Sequence, residues 1–177
     1  RIGGAGKQHE EPGGSVVVSN GIYAPIQASG ALSVRSVNGA LFTIINGARW
    51  NLCASLANGI TMSGFTLTNG AGGASGGTLN NCILVGNFGS GASGCTLNNC
   101  TLTGNSAAYY GGGAYNCTLN NCTLTGNSAA YYGGGGAYQC AMNNCVVYFN
   151  TAPVDENYSY CTLNYCCTTP QPSNGAG

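Results

Sequence analysis

Cys95-Thr96-Leu97-Asn98-Asn99-Cys100-Thr101-Leu102-Thr103-Gly104-Asn105-Ser106-Ala107-Ala108-Tyr109-Tyr110-Gly111-Gly112-Gly113 decides the reading of this chain, because it returns 22 residues later almost unchanged as Cys117 to Gly135. Degraded copies of its opening follow at Cys140-Ala141-Met142-Asn143-Asn144-Cys145 and Cys161-Thr162-Leu163-Asn164-Tyr165-Cys166. An earlier copy, Gly77-Thr78-Leu79-Asn80-Asn81-Cys82, lacks only the first Cys. The second Cys falls at 82, 100, 122, 145 and 166, in steps of 18, 22, 23 and 21. A period of that size signals a stacked-repeat architecture. The second full copy carries one extra glycine, Gly133 to Gly136, and a tolerated insertion marks a loop.

One repeat can be read locally. Cys95 and Leu97 are two residues apart and share one side of a strand. Asn98-Asn99 breaks that strand, since Asn tolerates left-handed turn conformations. Cys100 and Leu102 again share a side, and Gly104-Asn105 makes the next turn. A third short strand centres on Ala114, after the glycine run. Long stretches of 3.6-residue period, which helical repeats need, are missing from the sequence. The expected fold is therefore all-β, a right-handed parallel β-helix (solenoid) of about seven coils with roughly 22 residues per coil. Its expected limits are a Gly-rich N-terminal arm over 1–13, the solenoid over 14–167 and a C-terminal tail over 168–177.

Stacking coils about 4.8 Å apart puts equivalent residues in columns. Leu79, Leu97, Leu119, Met142 and Leu163 should form one buried column, and Leu84, Leu102, Leu124 and Val147 another. Two cysteine columns follow: Cys82, Cys100, Cys122, Cys145 and Cys166, and Cys95, Cys117, Cys140 and Cys161. Asn81, Asn99, Asn121 and Asn144 are expected to form an amide ladder at one turn, and Asn87, Asn105, Asn127 and Asn150 a second. Stacked amides can bond to the same group above and below. Occupied in that way, sequon asparagines such as Asn99 and Asn121 would be poor glycan acceptors.

The units resemble the parallel β-helix repeats of bacterial surface and secreted proteins, such as polymorphic outer-membrane proteins and pectate-lyase-like passenger regions. The residues that carry the resemblance are Asn-Cys-Thr-Leu-Thr-Gly-Asn-Ser-Ala and Gly-Gly-Gly-Ala-Tyr, with Gly14 to Tyr23, Arg35 to Gly39, Thr43 to Gly47 and Ser63 to Gly70 in the first half. The resemblance implies the fold and an extracellular or cell-surface, bacterial setting. It implies no single activity, because this fold hosts lyases, adhesins and inert fibres alike.

Composition narrows the function. Charged residues are 5% of the 177 and the net charge is zero. Nucleic-acid binding needs a basic face, and Arg1, Lys7, Arg35 and Arg49 do not make one. No run is long and apolar enough for a transmembrane helix. The chain has neither a starting Met nor a signal peptide, which suggests a processed product or a piece of something longer. The eleven cysteines allow two readings: small buried hydrophobes filling a narrow coil, or disulfides between coils, for which the Cα spacing is permissive. Cys166-Cys167 is where bonding is most expected. Zinc spacing is absent, His9 is the one histidine, and no metal or cofactor is expected.

Catalysis on this fold would need converging carboxylates. Glu10 and Glu11 sit in the arm, and Asp155 and Glu156 are adjacent in one loop, so no enzyme activity is expected. The outer surface carries matched tyrosines: Tyr109 and Tyr110 against Tyr131 and Tyr132, and Tyr115 against Tyr138. Exposed aromatics of this kind suit sugars or a neighbouring fibre. Thr66, Thr68, Thr101, Thr103, Thr123 and Thr125 give three Thr-x-Thr units, interrupted by Ile83-Val85 and Val146-Tyr148. Neither terminal segment looks like a cap, and bare strand edges are templates for pairing. The favoured expectation is a non-enzymatic subunit of an extracellular filament, a head-to-tail homopolymer. The alternative is an adhesin or autotransporter passenger fragment that binds carbohydrate or a surface through its Tyr/Thr face.

Overall fold

The computed structural model describes residues 8–11, 15–18, 21–28 and 32–170, with side chains from residue 21 onward. These residues form a β-solenoid of about seven turns, about 22 residues apart, and contain no helix. Three sheets run the length of the stack. Face 1 has nine strands, from Gln8–Glu11 to Thr162–Asn164. Face 2 has eight, from Gly21–Tyr23 to Cys167–Thr168, and face 3 has seven, from Ile26–Ala28 to Tyr158–Ser159. The strand expected around Ala114 is Ala114–Tyr115, on face 3. A short pair, Ser106–Ala107 with Ser128–Ala129, adds a fourth side to two coils.

The strands are only two to five residues long, so a strand by itself gains little. What holds each one is its neighbours above and below. Leu79, Leu97, Leu119, Met142 and Leu163 pair in register on face 1 and are buried. Leu84, Leu102, Leu124 and Val147 do the same on face 2. Each such side chain contributes about 1.5–3 kcal/mol, shared between neighbouring coils. Face 3 presses inward with a column of small residues, Ala54, Ala74, Ala92, Ala114 and Ala137. Glycines allow the close approach behind it: a Cβ on Gly113 would lie 2.5 Å from the Gly136 carbonyl oxygen.

The cysteines of the two columns sit one residue before the Leu-bearing strands of faces 1 and 2, and all eleven thiols are free. Cys161 is half-buried, Cys167 exposed and the other nine buried. Each column thiol bonds to nearby backbone and also lies against the sulfurs of its column neighbours, and Cys95 N–H donates to Cys117 Sγ at 3.4 Å. Cys100 Sγ donates to the Asn98 carbonyl at 3.3 Å and Cys122 Sγ to that of Asn120 at 3.3 Å.

The interior asparagine ladder is present and runs further than expected. Nδ2 of Asn87, Asn105 and Asn127 each donates to the Oδ1 of the asparagine one coil on, at 2.8, 2.9 and 3.0 Å, and Asn150 Nδ2 donates to Oδ1 of Asn157, seven residues further along its own coil, at 3.1 Å. The same amides bind backbone, for example Asn127 Nδ2 to the Leu102 carbonyl and Asn105 N–H to Asn127 Oδ1. These four asparagines and Asn157 are buried, and no buried side-chain nitrogen or oxygen among the described residues lacks a partner.

The other ladder requires a correction. Asn81, Asn99, Asn121 and Asn144 do not stack their amides. They occupy left-handed turn positions, φ 51° to 54°, and are exposed. The ladder belongs to the residue before each: Asn80, Asn98, Asn120, Asn143 and Asn164 bond in sequence at 2.9, 3.0, 3.3 and 3.1 Å. The first Asn of the pair is the last residue of the strand and points outward in register. The second turns the corner, and its side chain swings into solvent. The occupied-amide argument against glycosylation at Asn99 and Asn121 therefore lapses.

The ends also differ from expectation. Gln8–Glu11, within the supposed arm, is a strand that pairs antiparallel with Ser15–Val18 and so lies across the first edge of face 1. His9, Glu10 and Glu11 are in this strand, and their side chains lie outside the described residues. At the other end Thr168 is part of a strand and is buried. Asn157 Nδ2 then donates to the Thr169 carbonyl at 2.9 Å and to its hydroxyl at 3.1 Å, so the interior ladder ends on the protein's own chain. Edge protection by a short covering segment is a common device in sheet proteins. The expected limit at 13 thus falls between two strands that pair with each other, and the limit at 168 falls within a strand.

Candidate functional site

From the third coil onward the turn between faces 2 and 3 is the longest of each coil, and it carries the aromatic residues. In the fifth coil it holds Tyr109 and Tyr110, and in the sixth Tyr131 and Tyr132. Parallel register copies each ring onto the next coil. Tyr110 stacks on Tyr132 with centroids 4.8 Å apart and planes 13° apart, and Tyr109 lies 5.7 Å from Tyr131. Tyr115 and Tyr138 are paired residues of face 3 and stack at 5.9 Å and 4°. The two sets meet where Tyr110 contacts Tyr138 at 4.3 Å. All six tyrosines singled out in the sequence therefore form one cluster.

The sequence reading did not include Tyr160, which packs edge-on against Tyr138 at 5.5 Å. No repeat copy carries it, so periodicity held no signal for it. Tyr109, Tyr131, Tyr132 and Tyr160 are exposed, while Tyr110, Tyr115 and Tyr138 are half-buried beneath them. Two clefts open on these rings. One of about 460 Å3 is lined by Phe88, Ser90, Tyr109, Tyr110 and Tyr115 among others. One of about 270 Å3 lies between Tyr110, Tyr132, Tyr138, Asp155 and Tyr160. In the second, Asp155 is held by Ser159, whose hydroxyl donates to Oδ2 at 2.7 Å. Crowding raises the Tyr138 hydroxyl above its ordinary range, through desolvation first and then the neighbouring Tyr110, Tyr160 and Tyr115. The Tyr138 phenol therefore stays protonated near neutral pH and can donate as well as accept.

The threonines lie on face 2 as outward columns. Thr66, Thr101 and Thr123 share one column and Thr68, Thr103 and Thr125 the other, with Ile83 and Val85 breaking both. They are half-buried and line neither of the two tyrosine clefts. The cysteines do not converge on any ligand. Among the described residues, no group of three His, Cys, Asp or Glu side chains could hold a metal ion. Burial pushes the Cys53 thiol up to about 11. Cys122 is raised to about 11 by Cys100 beside it, and burial adds to the effect. Such thiols are protonated and inert near neutral pH. Asp155 and Glu156 are the described acidic side chains, adjacent on one loop. No described helix is long and apolar enough to cross a membrane.

No family model matches the chain, and no curated protein matches it in sequence. Among solved structures, the crystal structure of a candidate glycosyl hydrolase from Parabacteroides merdae is similar with a TM-score of 0.37 and 13% identity, over 88% of this chain and 83% of that one. A likeness at that level carries no argument about activity, and the reading of this protein rests on its own geometry.

Proposed function

We propose that this protein is a non-enzymatic, extracellular or cell-surface solenoid of bacterial origin that binds carbohydrate through its tyrosine face. The observation that carries the reading is the seven-ring tyrosine cluster with two clefts opening onto it. Pyranose rings present apolar C–H faces and hydroxyl edges. A phenol ring offers the matching flat apolar surface and a polar tip. The rest of the molecule supports a scaffold role: the core is a set of saturated ladders, and the described carboxylates are neighbours on a single loop.

The test is retention on insoluble polysaccharides together with a glycan array, using the wild type, Tyr110→Ala, Tyr132→Ala and, as a face-2 control, Thr103→Ala. The expected result is binding that falls at least tenfold in the tyrosine variants and is unchanged in the control. No retention of the wild type on any glycan would overturn the reading.

A second reading, the head-to-tail filament, is supported by a specific observation. Among the described strands, Gly21–Tyr23 and Ile26–Ala28 stand at the ends of the face 2 and face 3 sheets. The covered edge of face 1 and the closed interior ladder work against it, since coaxial stacking would have to displace both. Sedimentation at high concentration distinguishes the two readings: a polymer supports the filament, and a stable monomer removes it.

A further inference from the structure

The tyrosine cluster is one end of a longer feature. Trp50 occupies the same turn as the tyrosines, but in the second coil, and is 82% exposed. It borders a cleft of about 580 Å3 whose other walls are Pro25, Gln27, Asn51, Leu52 and Ser55. Gln27 and Ser55 are paired outward residues of face 3. Their column continues in register through Ser75 and Ser93 to Tyr115 and Tyr138, under the tyrosine clefts. Arg49 bridges the two regions. Its guanidinium carbon lies 4.5 Å from the centroid of Phe88, which lines the first tyrosine cleft, and 6.0 Å from that of Trp50.

The turn that presents these groups is held under strain. Ala48 and Arg49 are consecutive non-glycine residues with φ of 51° and 70°. Both are disfavoured relative to the right-handed region, and strain of this kind concentrates at functional surfaces. The bonds that fix the turn include Ala48 N–H to Asn46 Oδ1 at 2.8 Å, Arg49 N–H to the Asn69 carbonyl at 2.6 Å and Asn51 N–H to the Gly47 carbonyl at 3.1 Å. The result is an indole ring standing in solvent beside amide and hydroxyl side chains, with a guanidinium laid across the next ring.

We propose that the Trp50 cleft is a distal subsite of the same binding face, so that the ligand is a linear polysaccharide chain lying along the solenoid axis. The proposal rests on the carbohydrate reading of the tyrosine face. The chemistry of the Trp50 cleft is that of a sugar site: an apolar plate for the ring and Gln27, Asn51 and Ser55 for its hydroxyls. Arg49 lies between the two regions with its fork of donors over Phe88, and those donors can reach the hydroxyls of a sugar crossing from one to the other. From Trp50 in the second coil to Tyr132 in the sixth there are four coil steps, or about 19 Å. A trisaccharide is too short to occupy both ends, and an octasaccharide is long enough.

The experiment is calorimetric titration of the intact chain with cello-, xylo- and chito-oligosaccharides of three and eight residues. The proteins are the wild type, Trp50→Ala, Gln27→Ala and Tyr132→Ala. The expected result for the series that binds is an eight-residue chain held at least tenfold tighter than the three-residue one, because linked subsites act together. Trp50→Ala and Gln27→Ala should each weaken the long chain several-fold and leave the short one unchanged, whereas Tyr132→Ala should weaken both. Equal affinity for the two lengths, with no effect of Trp50→Ala, would overturn the distal subsite and leave the tyrosine site standing. Absence of binding by every series at both lengths would overturn the carbohydrate reading itself, and the subsite with it.

Discussion

Replacing Asn127 by alanine should cost the protein far more than replacing Asn120, although both asparagines belong to ladders of the same kind and lie seven residues apart. Asn127 is fully buried. Its Oδ1 accepts the Asn105 backbone N–H at 3.1 Å and Asn105 Nδ2 at 2.9 Å, and its Nδ2 donates to the Leu102 carbonyl and to Asn150 Oδ1. Alanine leaves the buried Asn105 N–H without its side-chain acceptor and deprives four further groups of one bond each, the longest of these being to the Thr125 carbonyl at 3.4 Å. An orphaned buried donor costs about 1–3 kcal/mol, and a lost bond whose groups keep other partners costs about 0.5–1. The total is about 4 kcal/mol. Asn120 is half-buried, and its two amide contacts, at 3.0 and 3.3 Å, face water that can replace them. Its loss should cost about 1 kcal/mol or less. For a chain of this size each kcal/mol moves the melting temperature by about 2–4 °C. Thermal unfolding followed by far-ultraviolet circular dichroism should show a drop of about 12 °C for Asn127→Ala and about 3 °C for Asn120→Ala. Equal drops would refute the assignment of the load-carrying ladder to the interior column.

The remaining predictions use the same frame. Leu119→Asp puts a carboxylate into a buried column and should cost several kcal/mol, while Thr118→Asp, exposed on the same strand, should stay within about 0.5 kcal/mol in urea unfolding. Gly113→Ala should destabilise by about 1–3 kcal/mol, because its Cβ would lie 2.5 Å from the Gly136 carbonyl oxygen. Gly94→Ala meets nothing within 4 Å and costs only its left-handed φ, about 1 kcal/mol. The thiols set a pH dependence. Cys53 and Cys122 rise from an ordinary 9.0 to about 11 in the folded chain, so the unfolded state loses its protons first. Stability should hold below pH 9 and fall between about pH 9 and 11 as the unfolded thiols ionise. A urea midpoint that does not change from pH 8 to pH 10.5 would count against buried thiols. At pH 8, Ellman's reagent should modify the exposed Cys167 quickly and the two columns only on unfolding.

The sequence alone determined the periodic part of this protein. The 22-residue spacing, the Leu and Cys columns, the interior asparagine column and the paired tyrosines all follow from one argument. A residue copied at a fixed period in a parallel stack must land on its own copy. Alternation then fixes which residues face in, so Leu97 and Leu119 could be placed in the core without coordinates. The same argument could not choose between Asn98 and Asn99 as the ladder residue, because both repeat equally well. That choice depends on which of the two takes the left-handed φ at the corner, and strand pairing decides it. Features without a copy were also out of reach. Gln8–Glu11 has no equivalent strand and becomes an edge cover by pairing antiparallel with a neighbour that the period does not predict. Trp50, Arg49, Phe88 and Tyr160 are single residues in degenerate coils, and nothing in the spacing links Trp50 to Phe88 across 38 positions. Tertiary structure brings them into one strip because coil stacking converts a separation of tens of residues into a few steps of about 4.8 Å along the axis.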